Sequence, residues 1–410
     1  MQSVKGIKVS EHFLQNKRVS IVLRGVVDNR AIKTARALVG EGARVTIHSF
    51  TYLRNDYEDE PFFVEYHDPA EPLPSNRNAR VIRILENLTL KRLGKSILER
   101  KYGLFGFELV RKAILADNPD IIHAINADIL KGASLAAEEL EIPLIYDAYE
   151  YWPEHALEEI CNYSSTEKEF LLSSEKSYVA KAKAMITVSP YLAKLYKQTL
   201  KLHEEPTVIF NAPTNFNVGS LPSGDPVRFL FLGNIQEDRN LKTLFEAASQ
   251  AEWMELTLQG DGKLKPWLAQ EIEKRRLSAR VKLKDPVPYA EVADSCKEYD
   301  VGILCSIAYN RQVDGALPNK FFEYVAGGLA LACTRTSAVE GFPNYESFGT
   351  YLDSGNPVSL RKSLEAIASN PDAVTSMKTA SIEIAKKYCG DTQSSKLVAL
   401  YENVISGTDS

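Results

Sequence analysis

Short apolar runs alternate with stretches in which apolar positions recur every three or four residues, along nearly the whole chain. Runs of that length predict buried strands, and the periodic stretches between them predict crossover helices, so the rhythm describes parallel sheets. In the first half the predicted strands are Arg18–Leu23, Arg44–Ser49, Phe62–Tyr66, Asp120–Ala124, Pro143–Asp147, Ala184–Val188 and Thr207–Phe210. The second half repeats the pattern with Val227–Leu232, Glu255–Gln259, Arg280–Lys284, Asp300–Leu304, Leu329–Cys333 and Phe348–Leu352. Between the halves, Asn211–Pro226 is rich in Pro and Gly and nearly free of apolar residues, as a linker is. The chain therefore reads as two α/β domains, 1–212 and 213–390, each expected to bind ligand beyond the carboxyl ends of its strands.

One segment carries more chemistry than any other. Leu317–Gly328, LPNKFFEYVAGG, precedes the apolar run Leu329–Ala332. A Pro at the opening turn and a Gly pair at the stop predict a short helix feeding a buried strand, with its free N-terminal amides able to face a phosphate. Glu323 then lies where it can accept hydroxyl hydrogens from a ribose. With its surroundings, from about Arg18 to the C-terminal helix, the segment resembles glycosyltransferase family 4, the retaining sugar-nucleotide transferases of the GT-B fold. That resemblance implies two Rossmann-like parallel-sheet domains facing an interdomain cleft, with residues 391–410 forming a helix that crosses back to the N-terminal domain.

The resemblance also assigns a donor site. Gly233 after the strand Val227–Leu232 matches a family Gly, and Arg239 falls on a family Lys. Asn234 stands where the family has Arg, so Lys320 or Arg311 is expected to complete the positive clamp on the diphosphate. Gly260 and Asp261 lie in a second family turn, and Val287 in the loop Asp285–Pro288, where main-chain groups would hold the base. Leu317, Pro318, Asn319, Lys320 and Glu323 complete the donor set. The family's other glutamate would be at position 315, which is Gly315, so Asp314 next door is the candidate for the sugar hydroxyls. UDP or GDP is the expected nucleotide, with no metal and no further cofactor.

On the acceptor side the candidates are Gly25, Asn29 and Arg30 after the first strand, His123 and Asn126 after Asp120–Ala124, and Tyr149, Glu150 and Glu154 after Pro143–Asp147. Asp147–Glu150 resembles a family Asp-Ala-His-Glu segment, with Tyr149 at the His position. Arg239, Lys320, Glu150 and Tyr149 are the expected catalytic set. In the mechanism usual for such enzymes a diphosphate oxygen takes the acceptor proton, so positioning and charge stabilisation carry the rate.

Composition narrows the reading. The 410 residues carry a net charge of -5 with 44% hydrophobic content, which describes a globular protein and argues against a nucleic-acid binder. Five widely spaced cysteines without a C-x-x-C pair suggest reduced thiols, and the absence of an apolar leader or span suggests a cytoplasmic protein. From Arg77 to Lys112 ten Lys or Arg face three Glu, a basic stretch suited to peripheral contact with anionic lipid at the inner face of a membrane or to a lipid-linked acceptor. The expected function is retaining transfer from a nucleoside diphosphate sugar to a hydroxyl of a glycan or glycolipid, of the cell-surface polysaccharide type. A catalytically weak accessory subunit and a sugar-nucleotide epimerase remain alternatives, because Asn234, Gly315 and Tyr149 depart from the family pattern.

Overall fold

The structure is a computed structural model that describes residues 13–51, 55, 57–68, 107–154, 165–216 and 222–407. The chain divides into two compact units. Unit 1 comprises residues 1–188, 193–209 and 394–410, and unit 2 comprises 189–192 and 210–393. The short excursion Ser189–Leu192 into unit 2 has no linker composition to announce it.

Among the described residues unit 1 has seven strands: β1 (Arg18–Arg24), β2 (Arg44–Phe50), β3 (Phe63–His67), β4 (Ile121–Ile125), β5 (Leu144–Asp147), β6 (Ala184–Thr187) and β7 (Thr207–Val208). They lie in the order β3-β2-β1-β4-β5-β6-β7, every pairing parallel. Central β1 is buried from Val19 to Leu23 without a polar-out alternation, as a strand covered on both faces must be, whereas edge strand β3 is largely accessible. Helix Asn29–Gly40 seats Ala31, Ala35 and Leu38 on this sheet at helical spacing. The final helix, Thr392–Ser406, contributes Leu397, Leu400 and Tyr401 to the same core. Each such fully buried large apolar side chain stabilises by about 1.5–3 kcal/mol.

Unit 2 holds β8 (Arg228–Leu232), β9 (Glu255–Gln259), β10 (Val281–Lys284), β11 (Val301–Leu304), β12 (Ala330–Thr334) and β13 (Gly349–Leu352). Their order is β10-β9-β8-β11-β12-β13, again all parallel. Phe229, Phe231, Leu244, Phe245, Leu258 and Ile303 fill its core. Beneath it Asp300, fully buried, binds Arg228 Nε at 3.0 Å and Lys378 Nζ at 2.7 Å, a paired charge that fixes the start of β11.

In each sheet the order reverses once, between β1 and β4 in unit 1 and between β8 and β11 in unit 2. Crossover helices leave opposite faces at such a point, and the loops beyond the strand ends part to leave room for a ligand. Every candidate site residue on a loop after β1, β4, β5, β8, β9 or β11 belongs to one of these neighbourhoods.

Among the described residues no helix is long and apolar enough to cross a membrane. The basic stretch Arg77–Lys112 lies outside the described residues except for its last turns, where Arg111 is paired with Glu108 and Glu139. Cys296, Cys305, Cys333 and Cys389 are buried free thiols.

Candidate active site

In unit 2 the predicted short helix runs from Asn319 to Gly327, with Pro318 at its N-cap and no side chain bonding to the first amides. Gly328 closes it in the left-handed conformation, φ 74°. Tyr324 anchors it to the sheet: its hydroxyl accepts from Leu232 N at 2.8 Å and donates to Ile303 O at 3.3 Å, while its ring lies against Gly302. The helix N-terminus is thereby held beside the ends of β8 and β11. Leu317 is buried beneath it, and exposed Asn319 accepts from Asn211 Nδ2 at 2.8 Å.

The glycine turns are stacked by close backbone approach. A Cβ on Gly260 would fall 1.9 Å from Gly233 O, and one on Gly233 would fall 2.2 Å from Lys320 Cε. Glycine is required at Gly260 by that main-chain contact and at Gly233 by its φ of 112°, a conformation that other residues rarely adopt. Exposed Asp261 closes the turn, its carboxylate accepting from Gly262 N and its carbonyl from Ile235 N, both at 2.8 Å. Gly233 thus makes the floor on which the Lys320 stem lies, and the ammonium sits 5.8 Å from the centre of the Phe231 ring.

Burial, and then the nearby charge of Arg239, brings Lys320 down to about 8, against the weaker pull of Glu323 and Asp238. Arg239 ends a 3-10 turn, and its Nε lies 3.4 Å from Asp238 Oδ2 without making a hydrogen bond. Its carbonyl accepts from Cys305 Sγ at 3.4 Å, and the side-chain amide of the next residue, Asn240, donates to Cys305 O at 3.1 Å and Ser354 O at 2.9 Å. Two cations therefore converge, one of them largely buried, where a diphosphate could accept from both. Asn234 is exposed and supplies no third charge. The loop after β10 brings half-buried Val287 and Tyr289 to the same region, where burial and the Glu323 carboxylate raise the Tyr289 phenol.

Asp314 requires a correction. Its Oδ1 accepts from Ser337 N at 2.9 Å and its Oδ2 from Ser337 Oγ at 2.6 Å, so both oxygens are engaged in fixing the start of the turn Ser337–Glu340. Gly315 offers no alternative: a Cβ there would meet the Tyr191 ring at 2.4 Å, and its carbonyl accepts from Ser189 Oγ. The space a side chain at 315 would need is occupied by Tyr191.

In unit 1 Arg30 and His123 require a second correction, because both point into the core. Arg30 is 5% exposed and grips Asp147 with two parallel bonds, Nε to Oδ2 at 2.6 Å and Nη2 to Oδ1 at 2.8 Å, while Nη1 donates to Ile209 O at 3.1 Å. His123, fully buried, sits 2.9 Å from Tyr401 Oη and 3.4 Å from Asp147 Oδ2. Burial alone would raise the Asp147 carboxyl, but Arg30 and His123 bring it down to about 2. These side chains brace the ends of β4 and β5. Gly25 and Asn29 stay at the mouth of the β1 loop, half-buried.

Above this brace carboxyl groups gather. Asp28 caps helix Asn29–Gly40 through Oδ1 and accepts from the Tyr149 hydroxyl at 2.9 Å through Oδ2. Burial and then that carboxylate raise the Tyr149 phenol, which therefore stays protonated and orients the loop. Glu150, 3.4 Å from Asn126 Nδ2, is pushed up to about 8 by burial and by the charges of Asp128 and Asp28. Burial raises Asp128 to about 6 against the opposing charge of Arg24. Buried oxygens of Asn126 and Asp128 lack a hydrogen-bond partner. Such atoms are costly unless a ligand or water completes them. Half-buried Glu154 ends a short 3-10 turn after Trp152.

Asp28, Asp128, Tyr191, Asn240 and Tyr289 were not singled out as site residues by the sequence. Asp128 alone left a usable signal, an acid two positions after Asn126 at a strand end; the others are brought in by loop packing.

Residues 27–212 match the family model of a glycosyl transferase 4-like domain, and residues 226–370 that of glycosyl transferases group 1. No curated protein matches the chain in sequence. Solved structures with a similar fold include a glycosyltransferase from Rickettsia africae, 15% identical with a TM-score of 0.68 over 96% of this chain and 100% of that one. Sucrose-phosphate synthase from Thermosynechococcus elongatus is 14% identical with a TM-score of 0.70, again over 96% and 100%. Anabaena HepE in complex with UDP-glucose is 15% identical with a TM-score of 0.65, over 95% and 100%. With a glycosyltransferase domain in each half, carried on two parallel-sheet units of the Rossmann kind, the chain is a glycosyltransferase of the GT-B type.

Proposed function

We propose that the protein transfers a sugar from a nucleoside diphosphate sugar, UDP being the first nucleotide to test, to a hydroxyl of a glycan or glycolipid with retention of anomeric configuration. The observation that carries the donor assignment is the convergence of Arg239 and Lys320 beside the uncapped amides of helix Asn319–Gly327. These groups would bind the diphosphate and stabilise the charge that grows on it as the sugar leaves, so the reaction takes no metal. Glu323 and the loop at Val287 would hold the ribose and base. HepE was crystallised with UDP-glucose, which makes that nucleotide sugar a natural probe. On unit 1 the acceptor hydroxyl would meet Glu150, protonated at neutral pH and thus a hydrogen-bond donor, together with the unpartnered oxygens of Asn126 and Asp128. The acceptor proton passes to a diphosphate oxygen, and no side chain need act as base.

A second reading, a binding subunit with little turnover, is favoured by the donor-sugar end, where Asp314 is engaged with Ser337 and Tyr191 fills the place of a side chain at 315. Calorimetric titration with UDP-, GDP-, ADP- and CMP-sugars, followed by product assay with the tightest donor, separates the two. The expected result is selective binding, slow hydrolysis without acceptor, and a loss of about 100- to 1,000-fold in kcat/KM for Arg239→Ala. Failure of every nucleotide sugar to bind would overturn both readings, and binding without turnover would leave the second.

A further inference from the structure

At the β3 edge of unit 1, on two strands that carry no residue assigned to donor or acceptor, three metal-binding side chains meet. In the parallel register His48 is the partner of Glu65 and Phe50 that of His67. Because side chains alternate with period two, His48, Glu65 and His67 share one face of the sheet. His48 Nδ1 lies 3.1 Å from His67 Nε2 and 3.4 Å from Glu65 Oε2, and the last two atoms are 3.8 Å apart. A triangle with these sides has a centre about 2.0 Å from every corner, the length of a zinc–nitrogen or zinc–oxygen bond.

The surroundings are arranged as a metal centre requires. His48 Nε2 is 3.3 Å from Asp117 Oδ2, and Asp117 in turn accepts from Ser20 Oγ and lies 3.5 Å from Thr46 Oγ1. A proton on Nε2 directed at that carboxylate leaves the Nδ1 lone pair facing His67 and Glu65, the carboxylate–histidine–metal relay that fixes ring orientation and tautomer. His67 is steadied by stacking on Phe50, ring centres 4.7 Å apart. His48 is fully buried while Glu65 remains 56% exposed, so the cluster opens to solvent on one side, where a water can take the fourth position.

We propose that His48 Nδ1, His67 Nε2 and Glu65 Oε2 form a site for one divalent transition-metal ion, with Asp117 as the group that orients His48. Two imidazoles and one carboxylate select zinc, cobalt, nickel or copper over magnesium and calcium, and tetrahedral coordination favours zinc. The ion ties edge strand β3 to β2 and completes a polar cluster set into an otherwise apolar sheet face. It takes no part in sugar transfer.

The test is titration of the chelator-stripped full chain with Zn²⁺ and, for its spectrum, Co²⁺. One saturable site, a visible cobalt band of tetrahedral intensity and a melting temperature raised by Zn²⁺ are expected. Glu65→Gln and His67→Ala lie at an accessible edge and should leave the metal-free fold unchanged by circular dichroism while abolishing the cobalt band. Asp117→Asn should weaken Zn²⁺ by roughly 10- to 100-fold. Absence of saturable binding would overturn the proposal and leave the 3.1 Å contact as a plain His–His hydrogen bond. Binding of both edge variants at the parent affinity would overturn it equally, by placing the metal elsewhere.

Discussion

The two switch points of this molecule are built with opposite electrostatics. After β8 and β9 in unit 2, glycine turns clear a floor for Lys320, and Arg239 stands close enough to depress its pKa. After β1, β4 and β5 in unit 1, carboxyl groups gather instead, and burial with mutual repulsion raises Glu150 and Asp128. The same topology thus presents two converging cations in one unit and protonated acid in the other. Under the proposed function the cations would stabilise the charge that grows on the leaving diphosphate, and the neutral acid would donate to an acceptor hydroxyl. The units also differ in what lies beneath: unit 1 places the buried pair Arg30–Asp147 directly under its candidate site, whereas the buried cluster of unit 2, Asp300 with Arg228 and Lys378, lies at the opposite ends of its strands.

The largest effect should come from that support. Asp147→Asn leaves the Arg30 guanidinium buried without its counter-charge and should cost about 3–5 kcal/mol in urea unfolding of unit 1. Because the folded Asp147 carboxyl sits near 2, its contribution is complete above the ordinary carboxylate range and is lost as pH falls from about 4 toward about 2. A variant as stable as the parent would remove the distinction between brace and ligand site.

Glu150 tests the acid side. Glu150→Gln mimics the protonated form and should retain most activity, with a flat profile near pH 8. Glu150→Ala should lose roughly 10- to 100-fold in kcat/KM for acceptor, the loss of one hydrogen bond to substrate. Equal loss in both variants would mean that the ionised carboxylate is required.

The cation side has the reverse dependence. Under the proposed function Lys320 would bind a diphosphate only when charged and binding would raise its pKa, so nucleotide affinity should be full below pH 8 and fall about tenfold per unit above it until the bound-state pKa is reached. Lys320→Ala should remove that slope; a slope that persists in the variant would assign it to another group. The smallest effect belongs to Asp314→Ala, expected to cost about 1 kcal/mol of stability through Ser337 with nucleotide-sugar affinity unchanged. Weaker binding at unchanged stability would return Asp314 to the sugar site.

The thirteen strands of the described residues are legible in the sequence within one residue at each end except the last of unit 1, where the apolar run Thr207–Phe210 yields a ladder of only Thr207–Val208. Phe210 is apolar because it packs on Phe322 and Tyr388 within unit 2, a burial that a local pattern cannot tell from strand formation. The glycine turns and the helix Asn319–Gly327 were legible for a related reason: main-chain approach at Gly260 and a φ of 112° at Gly233 favour glycine, so identity reports geometry. Arg30 and His123 misled because a polar residue near a strand end has the same sequence appearance whether it faces a ligand or Asp147, 117 positions from Arg30 and 24 from His123.

By itself the amino-acid order determined where strands and crossovers form, that there are two parallel sheets, and which turns must be glycine, because apolar periodicity and the absence of a Cβ act locally. Tertiary structure decided which polar groups are spent on one another. Asp147 is claimed by Arg30, Asp314 by Ser337 and the space at Gly315 by Tyr191, while burial lowers Lys320 and raises Glu150 and Asp128. Those outcomes depend on burial and on neighbours distant in the chain, which set the charge state of a side chain far more strongly than its identity does.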